Sequence, residues 1–133
     1  MHSSYTRADE LSKQVIGAAI EVHRIKGAGL IESIYEKCLM RELQLRGIDA
    51  KSQVGIPIEY KGYIFDETLR LDILVDNCLL LELKSVEKVH PIHKAQLLSY
   101  MKLLQTPIGL LFNFHELQLR DGIHRMILPG ANL

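Results

Sequence analysis

Residues 70–84, RLDILVDNCLLLELK, read as two apolar strands joined by a tight turn. Charge interrupts both strands in the order Asp-x9-Glu-x-Lys, with Asp72 in the first strand and Glu82 and Lys84 in the second. Because side chains alternate between the two faces of a strand, Glu82 and Lys84 project to one face and leucines occupy the other. Charged groups placed among leucines lose hydration and need a partner, a metal or a shifted pKa. Three such groups on adjacent strands therefore predict a functional site.

The length of the turn decides whether these charges can meet. With a two-residue loop at 76–77, Asp72 would face Leu81 and lie on the opposite side of the sheet from Glu82. This follows because a register shift of one residue flips every side chain. A three-residue loop, 76–78, instead pairs Asp72 directly with Glu82, with Cβ atoms ~5 Å apart. The sequence therefore predicts a three-residue loop, or a bulge with the same effect.

The order and strand context of these charges resemble the active site of the PD-(D/E)XK nuclease superfamily, which has an Asp at one strand and Glu-x-Lys on the next. Leu71 precedes Asp72 where the family name has Pro. Upstream, GLIESIY at 29–35 resembles the signature of the GxxExxY protein family, and the likeness extends through EVHR at 21–24 and most of the chain downstream. The resemblance implies one α/β domain, 1–133, with a PD-(D/E)XK nuclease-like core in the order α-β-β-β-α-β and a mixed sheet flanked by helices.

The resemblance also implies a metal site. Asp72 and Glu82 would bind Mg²⁺ or Mn²⁺ through their carboxylates, and the backbone carbonyl of Leu83 would contribute. Glu32 matches an acidic residue that superfamily members often carry on the helix before the sheet, and it would complete the coordination sphere or hold a second ion. Lys84 would position the attacking water or stabilise the charge of the transition state. The implied activity is metal-dependent hydrolysis of phosphodiester bonds in DNA.

Two polar residues follow the Glu-x-Lys strand. Gln96 and Tyr100 are four residues apart, on one helix face, and resemble the Gln-x3-Tyr motif of RecB-type nucleases. This likeness implies that they orient Lys84 or the phosphate. Plainer alternatives stay open at this point. Gln96 and Tyr100 also suit the polar flank of an amphipathic helix, and Glu32 also suits a first helical turn because of the helix dipole.

Hydrophobic periodicity and turn residues place the other elements around this centre. The pattern favours an α/β domain of two or three layers with a mixed sheet. Helices are predicted over 8–26, 30–46 and 91–105, and strands over 53–60, 63–65, 70–75, 79–84 and 108–114.

Several local features of this pattern are specific enough to check. Pro57 marks the first strand as an edge or irregular strand. A hairpin between two short strands is predicted at Asp121-Gly122, and the tail after Pro129 is predicted to fray. The helix over 91–105 is predicted to bury Ala95, Leu98, Met101 and either Leu103 or Leu104.

Composition bounds the class of protein. With 133 residues, 47% hydrophobic and 24% charged, the chain suits one soluble globular domain. No apolar run approaches the ~20 residues of a membrane helix and no secretion signal is visible, so a cytoplasmic protein without membrane contact is expected. Cys38 and Cys78 lie far apart without metal-ligand spacing, which favours reduced thiols. The 16 basic and 16 acidic residues cancel, so nucleic-acid binding needs a local basic surface.

Three hypotheses remain open from the sequence. The first is the DNA nuclease, with a homodimer as a further expectation because two sites can then meet two strands. The second is a nuclease-fold module without hydrolysis that binds nucleic acid or a protein partner. The third is a buried structural network of ion pairs among Asp72, Glu82 and Lys84, although such networks stabilise proteins poorly compared with apolar substitutes.

Overall fold

The computed structural model describes residues 1–133 and contains three α-helices, five β-strands and one short 3₁₀ helix. No helix is both long enough and apolar enough to cross a lipid bilayer. The helices are α1 (Tyr5–Lys26), α2 (Glu32–Leu45) and α3 (Pro91–Leu104), and the 3₁₀ helix covers Leu119–Gly122. The strands are β1 (Ala50–Tyr60), β2 (Tyr63–Val75), β3 (Leu79–Lys84), β4 (Ile108–Asn113) and β5 (Ile123–Ile127).

The five strands form one mixed sheet in the order β1-β2-β3-β4-β5. Strands β1, β2 and β3 pair antiparallel, β3 pairs parallel with β4, and β4 pairs antiparallel with β5. A parallel pair needs a long crossover connection, and α3 supplies it between β3 and β4. The run from α2 to β4 has the predicted order α-β-β-β-α-β, so the α/β class and the mixed sheet flanked by helices are confirmed.

Two apolar clusters cover the two faces of the sheet, which gives the domain three layers. Helices α1 and α2 bury residues such as Val15 and Leu39 against one face. Helix α3 buries Leu97 and Met101 against the other face. In β3 the odd-numbered leucines belong to the α1–α2 cluster and Leu80 belongs to the α3 cluster. This alternation places the even-numbered Glu82 and Lys84 on the α3 face.

The loop between β2 and β3 has the predicted length. Asp76 and Asn77 have φ angles of 48° and 55°, and the N–H of Cys78 donates to the carbonyl of Val75 at 3.0 Å. The loop therefore takes three residues, and the prediction is confirmed. The resulting register pairs Ile73 with Leu81, Leu74 with Leu80 and Val75 with Leu79. The ladder ends there, so the predicted backbone pair of Asp72 with Glu82 does not form.

The first two strands are longer than predicted. Strand β1 begins at Ala50 rather than at residue 53. Strand β2 runs without a break from 63 to 75, although residues 61–68 are all exposed, because backbone pairing with β1 continues along this two-stranded arm. As predicted, the strand containing Pro57 lies at the edge of the sheet and has an irregularity after that residue.

The hairpin predicted at Asp121-Gly122 is wrong. Residues Leu119–Gly122 form the 3₁₀ helix, and β5 pairs with β4 rather than with the residues just before it. Gly122 is explained by packing, because a Cβ atom at this position would lie 2.6 Å from the carbonyl oxygen of Asn113. The glycine marks a close approach of two backbone segments, which a short-range pattern cannot distinguish from a turn.

The predicted buried side of α3 is confirmed in part. Met101 is buried as predicted, and Leu98 and Leu104 pack half-buried against the same cluster, but Ala95 is exposed. Leu97, which was not predicted, is fully buried together with Met101. Both buried side chains pack over Gly109 of β4, where a Cβ atom would lie 2.6 Å from the Met101 sulfur. The glycine lets the helix approach the sheet, and this long-range contact sets the rotation of the helix.

The tail after Pro129 is not frayed. Ala131 is 4% exposed and belongs to the cluster on the α3 side of the sheet. Its carbonyl accepts a hydrogen bond from the backbone N–H of His2 at 2.8 Å. The two ends of the chain therefore pack together, and the prediction of fraying is wrong.

Candidate active site

The carboxylate of Asp72 lies where β2 and β3 separate. Backbone pairing of the two strands ends at Ile73 and Leu81. One residue further, Asp72 Oδ2 accepts a hydrogen bond from the backbone N–H of Leu83 at 2.8 Å. The Asp72 carboxylate therefore accepts the hydrogen bond that a backbone carbonyl of β2 would accept in a continuous ladder. The divergence of the strands leaves space for this charged group.

The backbone around Asp72 is distorted on both strands. Leu71 packs in the cluster on the α3 side, whereas Ile73 packs in the cluster on the α1–α2 side, so the alternation of β2 breaks at Asp72. In β1, Gln53 lies between Ser52, which pairs with Ile73, and Val54, which pairs with Leu71. Its φ angle of 53° lies in the left-handed region, which residues other than glycine rarely adopt. Such strain persists only where the surrounding structure enforces it, and it is frequent at functional sites.

Glu82 is a buried carboxylate in contact with Asp72. Only 7% of its surface is exposed, and its Oε2 atom has no hydrogen-bond partner. Burial is the main cause that raises the pKa of Glu82 to about 8, and the hydrogen bond and negative charge of Asp72 act in the same direction. Glu82 therefore retains its proton at neutral pH, because burial and the neighbouring Asp72 outweigh the opposing charge of Lys84.

The ammonium group of Lys84 does not neutralise this pair. Lys84 is the half-buried last residue of β3, and its charge lowers the pKa of Glu82, but it forms no ion pair with either carboxylate. The hypothesis of a structural network of ion pairs is therefore wrong. The four ion pairs of the protein all lie elsewhere, at Arg7–Asp76, Arg24–Glu21, Arg46–Glu42 and Arg125–Asp9.

A cleft of ≈ 180 Å³ lies between α2 and the separated strands. Glu32, in the first turn of α2, points toward the end of β3, since its Oε1 accepts a hydrogen bond from the backbone N–H of Ser85 at 3.4 Å. Its charge also raises the pKa of Glu82. Glu32 thus faces the acidic pair, as predicted, although its side chain is exposed. The cleft is lined by Glu32, Ser33, Glu36, Gln53, Asp72 and Leu83.

Glu36 and Gln53 lie in this cleft and were not predicted. Glu36 Oε1 accepts a hydrogen bond from Gln53 Nε2 at 2.8 Å. Burial raises the pKa of Glu36 against the opposing effect of this hydrogen bond, and the charges of Asp72 and Glu32 raise it further. A signal for Glu36 existed in its spacing of four residues from Glu32, which places both on one helix face. Gln53 has no such signal, because its position depends on the local distortion of β1.

The exposed Gln96 and the half-buried Tyr100, which packs against the cluster on the α3 side of the sheet, contact each other, with Gln96 Nε2 donating to the Tyr100 hydroxyl at 3.1 Å. Neither side chain hydrogen-bonds to the acidic pair or to Lys84. Helix α3 begins shortly after β3 ends, on the opposite face of the sheet from α2. The two residues therefore lie on the helix that leaves the site, and their role stays a prediction.

The size of a cleft does not identify this site. The largest cleft, ≈ 470 Å³, is bordered by Met40 and Ile48 and contains one carboxylate, Asp49. It has neither the paired acids nor the unpartnered buried oxygen of the Asp72–Glu82 region. The chemistry of the side chains, rather than the volume, therefore locates the candidate active site.

The oxygen atoms around the acidic pair fit a hard divalent cation. No group of three or more His, Cys, Asp or Glu side chains is already arranged to hold a metal ion. Mg²⁺ does not require such a group, because it prefers oxygen ligands and keeps several waters when one or two carboxylates bind it. A cation beside Asp72 and Glu82 would partner the unpaired Oε2 atom and replace the proton of Glu82. The residues present therefore fit a hard divalent cation.

Comparison with known proteins agrees with this geometry. The family model of the PD-(D/E)XK nuclease superfamily matches residues 9–126, a range that includes every candidate site residue described above. No curated protein and no solved structure matches the chain. The finer resemblance to the GxxExxY family stays a prediction. Since the matched range covers most of the sequence, the chain belongs to the PD-(D/E)XK nuclease superfamily.

Proposed function

We propose that the protein is a metal-dependent nuclease that hydrolyses phosphodiester bonds of DNA. The supporting observation is the buried Glu82 Oε2, which has no partner and lies beside the carboxyl group of Asp72. An uncompensated pair of this kind destabilises a folded chain unless a cation binds it. Its place at the Glu-x-Lys strand of a nuclease superfamily makes a catalytic cation the best explanation.

In this proposal, Asp72 and Glu82 hold Mg²⁺ or Mn²⁺, with the backbone carbonyl of Leu83 as a further ligand. Glu32, across the cleft, completes the coordination sphere or holds a second ion. When bound, the cation supplies a coordinated water of lowered pKa and offsets the charge of the phosphate. The Leu83 N–H fixes the rotamer of Asp72, so one carboxylate is oriented before the substrate arrives.

In this proposal Lys84 supplies a positive charge to the site. Because it forms no ion pair, its ammonium group is free to position the attacking water or to stabilise the negative charge that develops on the phosphate oxygens. Gln96 and Tyr100 are proposed to orient Lys84 or the phosphate once the substrate is bound. Their hydrogen bond to each other keeps both side chains on one side of α3.

The proposed substrate is DNA rather than RNA. One metal site acts on one strand at a time. A homodimer would allow two such sites to act on the two strands of a duplex. Sedimentation of the purified protein with and without duplex DNA measures whether two copies assemble on the substrate.

A second candidate function keeps the same fold, because the family match supports a nuclease-like domain and a fold does not fix an activity. The domain would then bind nucleic acid or a protein partner without hydrolysis. Turnover separates the two functions, because a binding module releases its partner unchanged whatever metal is added.

The test is a cleavage panel with single-stranded, double-stranded and branched DNA and RNA, in Mg²⁺, Mn²⁺ and EDTA. We expect DNA cleavage that requires metal and falls by about 10²-fold or more in Lys84→Ala, since charge stabilisation of this kind is worth several kcal/mol. Lys102→Ala, which removes an exposed lysine at the far end of α3, serves as the matched control and should retain full activity. Absence of cleavage of every substrate, or equal activity of Lys84→Ala and the parent, would contradict the proposal.

A further inference from the structure

A run of basic side chains follows Lys84 in the loop between β3 and α3 and in the first turn of α3. Glu87 is the one acidic residue between positions 84 and 94. No member of the run forms an ion pair, and two members are exposed while two are half-buried. This surface, termed the basic rim, consists of Lys88, His90, His93 and Lys94.

His93 places the rim beside the candidate active site. Burial is the main cause that lowers the pKa of His93, and the charge of Lys84 acts in the same direction. The charge of Glu32 opposes it, so the imidazole lies within electrostatic range of both Lys84 and the acidic wall of the cleft. The backbone N–H of Ser85, the residue after Lys84, donates to Glu32 Oε1 at 3.4 Å, so the loop that carries the rim starts at the edge of the cleft.

Lys94 gives a second, independent placement. After burial, the charge of Lys94 is the next cause that lowers the pKa of His124 on β5. His124 pairs with Leu111 of β4, and Leu111 pairs with Glu82 of β3, so the three residues form one row across the sheet. Adjacent strands are about 4.8 Å apart, which puts His124 about 10 Å from Glu82 along this row. Lys94 thus lies over the same face of the sheet as the buried acid.

The loop that carries the rim is fixed at both ends. The buried Asn113 side chain accepts a hydrogen bond from the Val86 N–H at 3.1 Å and donates one to the Val86 carbonyl at 2.9 Å. At the other end, the N–H of His90 donates to His93 Nδ1 at 3.1 Å. Because Nδ1 accepts, the neutral imidazole of His93 carries its proton on Nε2, which is left as a donor. These bonds hold the backbone at both ends of the loop and orient the imidazole of His93.

We propose that the basic rim binds the phosphate backbone of the nucleic-acid strand that enters the active site, so that the strand reaches the metal side of the cleft across the N-terminal end of α3. The inference rests on the proposed function, because it names the path of that substrate. Lys88 and Lys94 bind phosphate groups as point charges, and His93 Nε2–H donates to a phosphate oxygen. The acidic residues of α2 form the opposite wall, which repels the strand and directs it over the rim.

Binding of a fluorescently labelled duplex DNA and of its single strand, measured in EDTA across a series of salt concentrations, tests this inference without cleavage. The double variant Lys88→Ala/Lys94→Ala should bind about 10-fold more weakly or worse, and its log–log salt slope on duplex DNA should fall by about 1.8, since each phosphate contact contributes about 0.9. Lys13→Ala/Lys102→Ala removes two exposed lysines elsewhere on helices and changes the net charge equally. This matched control should bind like the parent.

A further pair of variants tests the donor. His93→Ala should weaken binding several-fold, and His93→Gln, whose Nε2 can still donate, should restore part of the loss. Equal binding by the two double variants, or a parent that binds neither DNA, would overturn the inference. Cleavage of the same DNAs in Mg²⁺ is measured in parallel. A parent that binds through the rim but never cleaves contradicts the proposed nuclease and supports the rim, whereas cleavage with unaltered binding by Lys88→Ala/Lys94→Ala overturns the rim alone.

Discussion

At the scale of single residues, the contact between Asp72 and Glu82 is the feature that most needs an explanation. A buried carboxylate is stabilised by donors or by a cation, and Glu82 has an oxygen with neither. Apolar residues at these positions would stabilise the fold better than a buried Glu82 beside a second acid. The proposed function explains the pair as a binding site for a cation.

The acidic pair should make the metal-free protein less stable as the pH rises. Glu82 has a pKa of about 8 in the folded protein and an ordinary, lower pKa in the unfolded chain. Between these two pKa values the folded state holds more protons, so the free energy of unfolding falls with rising pH, by up to about 1.4 kcal/mol per unit. Urea unfolding in EDTA from pH 5 to pH 8 measures this slope.

Glu82→Gln is the control for this pH dependence, because it removes the titrating group and keeps its shape. The variant should lose most of the slope and be more stable than the parent at pH 8 in EDTA. Addition of Mg²⁺ at pH 8 should stabilise the parent and not the variant. Parallel pH profiles for the two proteins would show that Glu82 does not retain its proton in the folded state.

Single substitutions should separate function from folding. Glu82→Ala should abolish any cleavage and Lys84→Ala should lower it by about 10²-fold or more, and both should leave the fold intact, because both remove groups that are unfavourable to bury. Circular dichroism and thermal melting, read beside the cleavage assay, check both parts of this expectation. A sharp fall of the melting temperature in both variants, with no activity in the parent, would indicate a structural role instead.

At the scale of secondary-structure elements, the contact of α3 with β4 sets the rotation of the helix. Leu97→Ala should lower the free energy of unfolding by about 2–5 kcal/mol, because a fully buried leucine packs over Gly109. Leu103→Ala makes the same chemical change at a position that is 49% exposed and should cost less than about 1 kcal/mol. Urea denaturation measures the free energy of unfolding of both variants. Equal decreases in the two variants would contradict the observed orientation of α3.

The loop after β3 depends on one buried amide. Asn113 is 1% exposed and makes hydrogen bonds to the N–H and carbonyl of Val86 and to the N–H of His115. Asn113→Ala leaves these backbone groups unpaired and should destabilise the protein by about 2–4 kcal/mol. Asn132→Ala, at an exposed position near the C-terminus, should have little effect on the urea midpoint. Similar midpoints for the two variants would mean that water replaces the Asn113 side chain.

Part of this element structure could be predicted from the sequence. The register of β2 against β3 could be predicted because only a loop with an odd number of residues places the leucines of both strands on one face. The same register predicts that Asp72 and Glu82 lie close together. The strained conformation of Gln53 could not be predicted, because it arises where two strands separate. Gly122 misled the interpretation for a related reason, since its contact with Asn113 is distant in sequence.

At the scale of the whole molecule, a net charge of zero hides an uneven distribution of charge. Glu32 and Glu36 of α2 line the cleft, whereas the basic rim lies in the loop after β3 and the first turn of α3. The sum of charges follows directly from the sequence, but only the fold shows that Glu32 contacts the start of the loop that carries the rim. The family and the order of elements were recognisable from the sequence, because their motifs are local and correctly spaced along the chain.

Calorimetric titration of Mn²⁺ into the protein at neutral pH tests the central claim most directly, because it measures whether the acidic pair is a metal site. The account predicts saturable binding by the parent and its loss in Asp72→Asn/Glu82→Gln, which removes both charges with little change of shape. Asp66→Asn/Glu67→Gln removes two exposed acids on the two-stranded arm and should bind Mn²⁺ like the parent. Absence of binding by the parent, or equal binding by Asp72→Asn/Glu82→Gln, would contradict the assignment of this pair as the metal site of a nuclease.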